Sequence, residues 1–209
     1  MRVLSIDIGI RNLGICMCSR HENTDAKEVG IEIESWEAVD IVTEAGSKSK
    51  TRNLGMQRIV DLAVVFLKSR QQQWDEFAPN IIVIEQQLSR AATMKVLQFA
   101  VYVFCKATFA NSKVKLCHAK HKLQIDPCYF GACAVEEPPP PKRQKTATKK
   151  TTEASRRYSR NKKMGRLLCE SIMASDRVQF HEEIGQMYID CKKKDDLADC
   201  FLQSLVMMI

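Results

Sequence analysis

Apolar positions recur along this chain with two periods, a strand-like one at the start and a helical one later. Val3, Leu4, Ile6 and Ile8 form an apolar run of strand length. The run ends in Gly9-Ile10-Arg11-Asn12-Leu13-Gly14, a turn signal, and Ile15 resumes the apolar character. This predicts a hairpin whose second arm covers Leu13 to Ser19. After a polar turn from His21 to Lys27, rough alternation through Ile31, Ile33, Ser35, Ala38 and Ile41 predicts a third strand over Ile31 to Val42. Three consecutive strands form an antiparallel meander in the simplest arrangement.

The period then changes. Past a polar loop (Glu44 to Arg52), Leu54 to Lys68 carries Met56, Ile59, Val60, Ala63, Val64 and Leu67 at helical spacing. Pro79 and Asn80 punctuate. Ile81-Ile82-Val83-Ile84 is a short, wholly apolar run, the mark of a central strand covered on both faces, and it ends in Glu85-Gln86-Gln87. Met94 to Ala110 predicts a second helix and Lys113 to His118 a further strand. A third helix begins at Ser159 or Asn161 and runs through Leu167, Leu168 and Ile172. The last, Asp195 to Ile209, has Leu197, Phe201, Leu205 and Met208 on one face and Asp196, Asp199 and Gln203 on the other. The order β-β-β-α-β-α-β-α-α describes an α/β fold with a mixed sheet, an antiparallel three-strand meander followed by alternating helices and strands.

Charge refines the domain picture. The 209 residues carry a net charge of +7, yet Lys142 to Arg166 holds eleven Lys or Arg and one Glu, a local +10 that leaves the remainder near −3. The basicity is a patch, which suits a polyanionic partner. Residues Pro138 to Pro141 are four prolines, and the Lys, Thr and Ala-rich stretch after them cannot bury apolar area. The chain therefore reads as one domain, 1–125 with 156–209, interrupted by a flexible Pro/Lys-rich insertion at 126–155. Lys142-Arg143-Gln144-Lys145 within it could also be read by nuclear import. Arg160, Lys162, Lys163 and Arg166 fall near the expected helix start, where basic residues oppose the macrodipole, and phosphate contact would explain them. Nine cysteines without zinc-site spacing, no apolar run of about 18 residues, and a first strand beginning at Arg2 or Val3 point to an intracellular, reducing location. No membrane span or cleaved presequence is expected. Cys105, Cys169 and Cys200 fall in helical patterns as small core residues.

The candidate chemistry lies in acids in unusual settings. Asp7 sits inside the first strand, Glu85 at the carboxyl end of an apolar strand, and Asp196 and Asp199 on one helix face. Sites form at the carboxyl ends of strands in α/β sheets. If the first strand and Ile81–Ile84 are neighbours, Asp7 meets Glu85 and the last helix can lay its two acids across them. Four clustered carboxylates repel and call for divalent cations. Hard oxygen ligands suit Mg²⁺ or Mn²⁺, and two such ions about 4 Å apart promote phosphodiester hydrolysis.

At motif level, Arg2-Val-Leu-Ser-Ile-Asp-Ile-Gly-Ile-Arg-Asn12, Ile82-Val-Ile-Glu-Gln-Gln87 and Lys193-Lys-Asp-Asp-Leu-Ala-Asp199 resemble the signature blocks of the RuvC-type Holliday junction resolvases, within the ribonuclease H-like superfamily. They are most similar to its fungal mitochondrial and poxvirus branch. Tyr158-Ser-Arg-Asn-Lys-Lys163 also resembles a basic segment of the viral members. The resemblance implies a ribonuclease H-like fold and a homodimer that cuts four-way DNA junctions into nicked duplexes. Asp7, Glu85, Asp196 and Asp199 would be the catalytic, metal-binding residues. Mg²⁺ would serve as cofactor, two ions per site, with Mn²⁺ able to replace it and no small-molecule cofactor. Arg11, Arg160, Lys162, Lys163 and Arg166 would contact nucleic acid, with Lys162 or Lys163 nearest the scissile phosphate. The biological setting would be recombination, repair or viral genome processing, in a nucleus or a cytoplasmic viral replication site. The helix from Met94 to Ala110 is a candidate dimer surface. Two other classes compete: a ribonuclease H-fold protein that binds branched DNA or structured RNA without cutting, and an actin-like phosphotransferase. The latter would need a second lobe with a Gly-rich phosphate loop, which eight scattered glycines do not provide.

Overall fold

The structure, a computed structural model, describes residues 1–23, 28–47, 54–88, 91–132 and 153–209. The elements in chain order are β1 (Arg2–Asp7), β2 (Leu13–Asn23), β3 (Glu28–Val39), α1 (Ile41–Glu44), α2 (Met56–Phe77), β4 (Ile81–Gln86), α3 (Ala92–Thr108), β5 (Lys113–His118), α4 (Glu153–Met173), β6 (Val178–Phe180), α5 (Glu182–Asp190) and α6 (Lys194–Val206). Short 3₁₀ turns follow β5 at His121–Gln124 and Pro127–Phe130. The six strands form one sheet in the order β5-β4-β1-β2-β3-β6. The expected meander is present, with β1–β2 and β2–β3 antiparallel, and β4 joins β1 in parallel as its other neighbour.

Strand alternation sends successive side chains to opposite faces, and here it separates two cores. Leu4, Ile6, Ile82 and Ile84 pack with Ile59, Leu62, Phe66, Leu97 and Val101 of α2 and α3. Val3, Val83, Cys16, Cys18, Ile31 and Ile33 pack with Leu168, Ile172, Leu197, Phe201 and Leu205 of α4 and α6. Register follows from Ile6 opposite Ile84 and is fixed at its origin by two bonds, Arg2 N–H to Asn80 Oδ1 (2.7 Å) and Asn80 N–H to Arg2 O (2.9 Å). Asp7 shares parity with Val3, and Glu85 with Val83. Both acids therefore lie side by side on the face that α6 covers.

Several expectations need correction. The third strand starts three residues earlier than expected and ends at Val39, because Asp40 caps α1 by accepting from the Val42 and Thr43 N–H groups. Helix α2 continues to Phe77, since Trp74 and Phe77 are buried beyond the expected end at Lys68. Helix α4 begins at Glu153, so its basic residues lie in the second to fourth turns and the macrodipole argument for them falls. Ile125, Phe130 and Ala132 belong to the core, which places the first residues of the expected insertion inside the packed domain; 133–152 lie outside the described residues. Strand β6 and helices α1 and α5 were not expected: three, four and nine residues are too short to show a period.

Helix α6 is also more enclosed than an amphipathic pattern implies. Every residue from Leu197 to Leu205 is buried except Asp199, which is partly so. The indole N–H of Trp36 donates to Leu197 O (3.0 Å), Gln203 Nε2 donates to Ile6 O (3.4 Å), and the Trp36 ring stacks on Tyr188 with centroids 4.8 Å apart. Trp36 and Trp74 are thus core residues, as are Cys105, Cys169 and Cys200. Among the described residues no helix is long and apolar enough to cross a membrane.

Helix α6 approaches the meander tightly at Gly14, where an added Cβ would lie 2.6 Å from Asp196 O and 3.3 Å from the Asp7 Cβ. Backbone cannot yield as a flexible side chain would. Gly14→Ala is expected to lower unfolding free energy by about 1–3 kcal/mol, read as a lower urea midpoint at unchanged slope. A variant as stable as the parent would show that α6 does not bear on β2 at this point.

Candidate active site

Asp7, Glu85, Asp196 and Asp199 all line one pocket of about 540 Å³ at the carboxyl ends of β1 and β4. Three separate stretches supply them. β1 ends in Asp7, its parallel neighbour β4 ends one residue past Glu85, and the first turns of α6 lay Asp196 and Asp199 across the two strand ends. The one-turn spacing of Asp196 and Asp199 turns both toward the sheet. Helix α4 packs on the far side of α6 at Gly165, where an added Cβ would meet Asp199 Oδ1 at an ordinary 3.5 Å.

A residue that the sequence did not single out holds the acids together. Lys122, on the 3₁₀ turn after β5, reaches into the pocket with its side chain only 9% exposed. Its ammonium lies 2.6 Å from Asp199 Oδ2 and 3.3 Å from Glu85 Oε1. Burial disfavours that charge, but Asp199, Asp7 and Glu85 outweigh burial and raise its pKa. The sequence predicts divalent cations between these acids; in the structure it is the Lys122 ammonium that lies among them. Among the described residues, no three His, Cys, Asp or Glu side chains stand round a single point at ligand spacing. The available sequence signal was a cation a few residues past a strand neighbouring β4, in His118-Ala-Lys-His-Lys122. His118 lines the pocket as well.

The acids differ in electrostatic state. Burial, then the Glu85 charge, holds Asp7 well above the ordinary carboxylate range. Burial would raise Glu85 too, but its hydrogen bond with Asp7 and the nearby Lys122 hold it low. The two carboxyls therefore titrate together, with the proton held more tightly at Asp7 than at Glu85. Gln87 Nε2 also donates to Glu85 Oε2 at 2.6 Å, and the buried Gln98 side chain fixes the Gln87 backbone N–H at 2.7 Å. Burial raises Asp199 despite Lys122. Burial and the neighbouring Asp195 push Asp196 up to about 6.

The expected nucleic-acid contacts divide. Lys162 lines the pocket and is paired with Asp195. Arg160, Lys163 and Arg166 are exposed on α4 outside the pocket lining. Arg11 is not brought to the site: its guanidinium pairs with Asp40 at 2.6 Å and ties the β1–β2 turn to the start of α1. Asn161 and Tyr158 of α4 also border the pocket, unforeseen by the sequence analysis.

The donor set fits a divalent cation on its own chemistry. All four side chains are hard oxygen donors, and Asp7 Oδ1 is buried without a hydrogen-bond partner. An orphaned buried carboxylate oxygen is costly unless something engages it.

Two predictions follow from this balance of charge. Lys122→Met leaves the acids uncompensated and should cost about 3–5 kcal/mol of stability near pH 7. The cost should shrink in acid as the carboxyls take up protons; a pH-independent loss would mean lost packing instead. Asp196 titrates above its ordinary value of 3.8, so between there and about 6 the folded chain holds a proton that the unfolded chain releases. Stability due to this group therefore falls as pH rises through that window. Asp196→Asn should be more stable than the parent at pH 7.5 and equal to it at pH 4, as read by denaturant titration at both values.

Comparison with known proteins bears on the family and the fold. Residues 3–122 match the family described as mitochondrial resolvase Ydc2 / RNA splicing MRS1. Among solved structures, the yeast mitochondrial Holliday junction resolvase Ydc2 aligns over 99% of this chain and 78% of its own, with a TM-score of 0.63 and 20% identity. Thermus thermophilus RuvC aligns over 100% and 95%, with a TM-score of 0.53 and 14% identity. Fowlpox virus resolvase, solved with Holliday junction DNA, aligns over 100% and 97%, with a TM-score of 0.52 and 16% identity. At these identities the structures speak for a shared ribonuclease H-like fold. No curated protein sequence matches. The match over more than half of the chain, in a fold with the acids at the expected strand ends, shows that this protein belongs to the RuvC-type Holliday junction resolvase family, in its mitochondrial resolvase Ydc2 / RNA splicing MRS1 branch.

Proposed function

We propose that this chain is a metal-dependent endonuclease that resolves four-way DNA junctions into nicked duplexes. The observation that carries the reading is the convergence of Asp7, Glu85, Asp196 and Asp199, from three distant stretches, on one pocket beside Lys122 and Lys162. A purely structural cluster would not need four acids of which one keeps an unpartnered buried oxygen.

Mg²⁺, two ions per site and replaceable by Mn²⁺, would be held by these four carboxylates, activating water and stabilising the leaving oxygen of the phosphodiester. The chain's own groups do the rest. Asp7, whose carboxyl is held above the ordinary range by burial, would hold such an ion in its ionised form. Lys122 keeps Glu85 and Asp199 aligned from below, as Gln87 keeps Glu85 from the side. Lys162 stands at the rim, where its ammonium can exchange Asp195 for a backbone phosphate. The exposed Arg160, Lys163 and Arg166 extend the positive surface along α4 and hold the duplex arms, without reading sequence. Two opposed strands require two sites, so the working species is a homodimer. The exposed Phe99 and Val103, one turn apart on α3, offer it an apolar surface.

The family description also names an RNA-splicing protein, which favours one second reading: binding to structured RNA or branched DNA without cleavage. A synthetic mobile four-way junction, cut with and without Mg²⁺ and mapped on all four strands, separates the two. Asp7→Asn should lower the single-turnover rate by about a thousandfold, since several kcal/mol of charge stabilisation is lost. Its junction affinity should stay within a few-fold of the parent. Cleavage by Asp7→Asn at the parent rate would remove Asp7 from the mechanism, and a parent chain that binds but never cuts would favour the second reading.

A further inference from the structure

Tyr158 is an aromatic side chain with 62% of its surface exposed on a polar helix face, at the edge of the acid pocket. With Asn161 and Lys162, three and four residues on, it forms one face of α4 that borders the pocket. The Lys162 ammonium lies 5.2 Å from the centre of its ring and is itself held by Asp195. The cation–π contact restrains the ring, so little rotamer freedom remains to be lost on binding. Arg156, Arg157, Ser159 and Arg160 are all exposed, and among the described residues the ring belongs to neither apolar core.

We propose that Tyr158 is a substrate-stacking residue that selects unstacked nucleotides beside the scissile phosphate; the inference rests on the nuclease reading above. Lysines and arginines around it bind phosphate whatever the base. A phenol ring adds what they cannot, a flat apolar face for a nucleobase. Inside continuous duplex both faces of each base are covered by its neighbours, and stacking on Tyr158 would first require unstacking. At a branch point that cost is lower, so the ring favours branched over linear DNA among substrates that the basic surface binds alike. The ring, not the hydroxyl, is the working part.

The test pairs a change in the protein with a change in the DNA. Parent, Tyr158→Phe and Tyr158→Ala are assayed as full-length chains on a four-way junction, on linear duplex, and on junctions carrying one abasic site on either side of the mapped cleavage position. Tyr158→Phe should cut the junction within twofold of the parent. Tyr158→Ala should be slower by about tenfold on the junction, with affinity for linear duplex changed less than twofold. At one of the two abasic positions the parent should slow by a similar factor, and Tyr158→Ala should slow no further. This is the coupling expected of two groups in contact. The proposal is overturned if Tyr158→Ala is as fast as the parent, if Tyr158→Phe loses as much as Tyr158→Ala, or if the protein and abasic losses multiply at both positions. The parent on abasic junctions needs no variant to fold. The same cycle read as junction affinity in EDTA reports stacking even if the chain never cuts, which keeps failure of this proposal distinct from failure of the nuclease reading.

Discussion

One ammonium group sits where the sheet, the last helix and the turn after β5 meet, and the arrangement around it depends on its charge. Lys122 bridges Asp199 of α6 and Glu85 of β4, with Asp7 alongside. Three acids brought together out of water would otherwise repel strongly enough to drive α6 off the strand ends. With Lys122 in place, α6 can be enclosed by β1, β2, β3, β4 and α4 while still presenting two carboxylates to a pocket. Trp36, Gln203 and Gly14 then fix the helix at close range, through a backbone carbonyl, a strand carbonyl and a missing side chain respectively.

Much of this frame was legible in the amino-acid order. The alternation in 3–8 and the wholly apolar Ile81–Ile84 marked the two strands that carry Asp7 and Glu85, while their adjacency was a condition that the parallel β1–β4 pairing meets. The helical spacing of Leu197, Phe201 and Leu205 placed α6. What escaped notice did so for physical reasons. Lys122 lies on a 3₁₀ turn of four residues, which has no period to read, and a lysine just after His118-Ala-Lys-His121 resembles any solvated charge run. The start of α4 was misjudged because six Lys or Arg between 156 and 166 obscure the apolar stripe formed by Met164, Leu167 and Leu168. Arg11 looked like a phosphate contact from its place after β1, but its nearest acid, Asp40, lies 29 residues away in sequence, beyond local inspection.

The two faces of the sheet carry different chemistry. The face under α2 and α3 is filled mainly with Ile, Leu and Phe, beside one half-buried pair, Glu37 of β3 with Arg70 of α2 at 3.0 Å. The face under α4 and α6 mixes apolar residues with thiols and hydroxyls. Cys16 and Cys18 have sulfurs 3.2 Å apart, Ser204 donates to Cys18, and Trp36 contacts Cys200. Small polarizable groups let α6 lie close to β2, and that closeness brings Asp196 and Asp199 within reach of the strand ends.

The parallel pairing of β1 with β4 has a consequence for how the chain reaches its native state. Side chains on a strand repeat every two residues, so sliding β4 by a single position would drive Glu85 into the oily layer beneath α2 and α3. An ionised carboxylate there would be parted from Lys122, which lies on the other face, and would be strongly disfavoured. Glu85 thereby penalises misaligned strands, and a sheet zipped up one step out of place would be disfavoured by electrostatics.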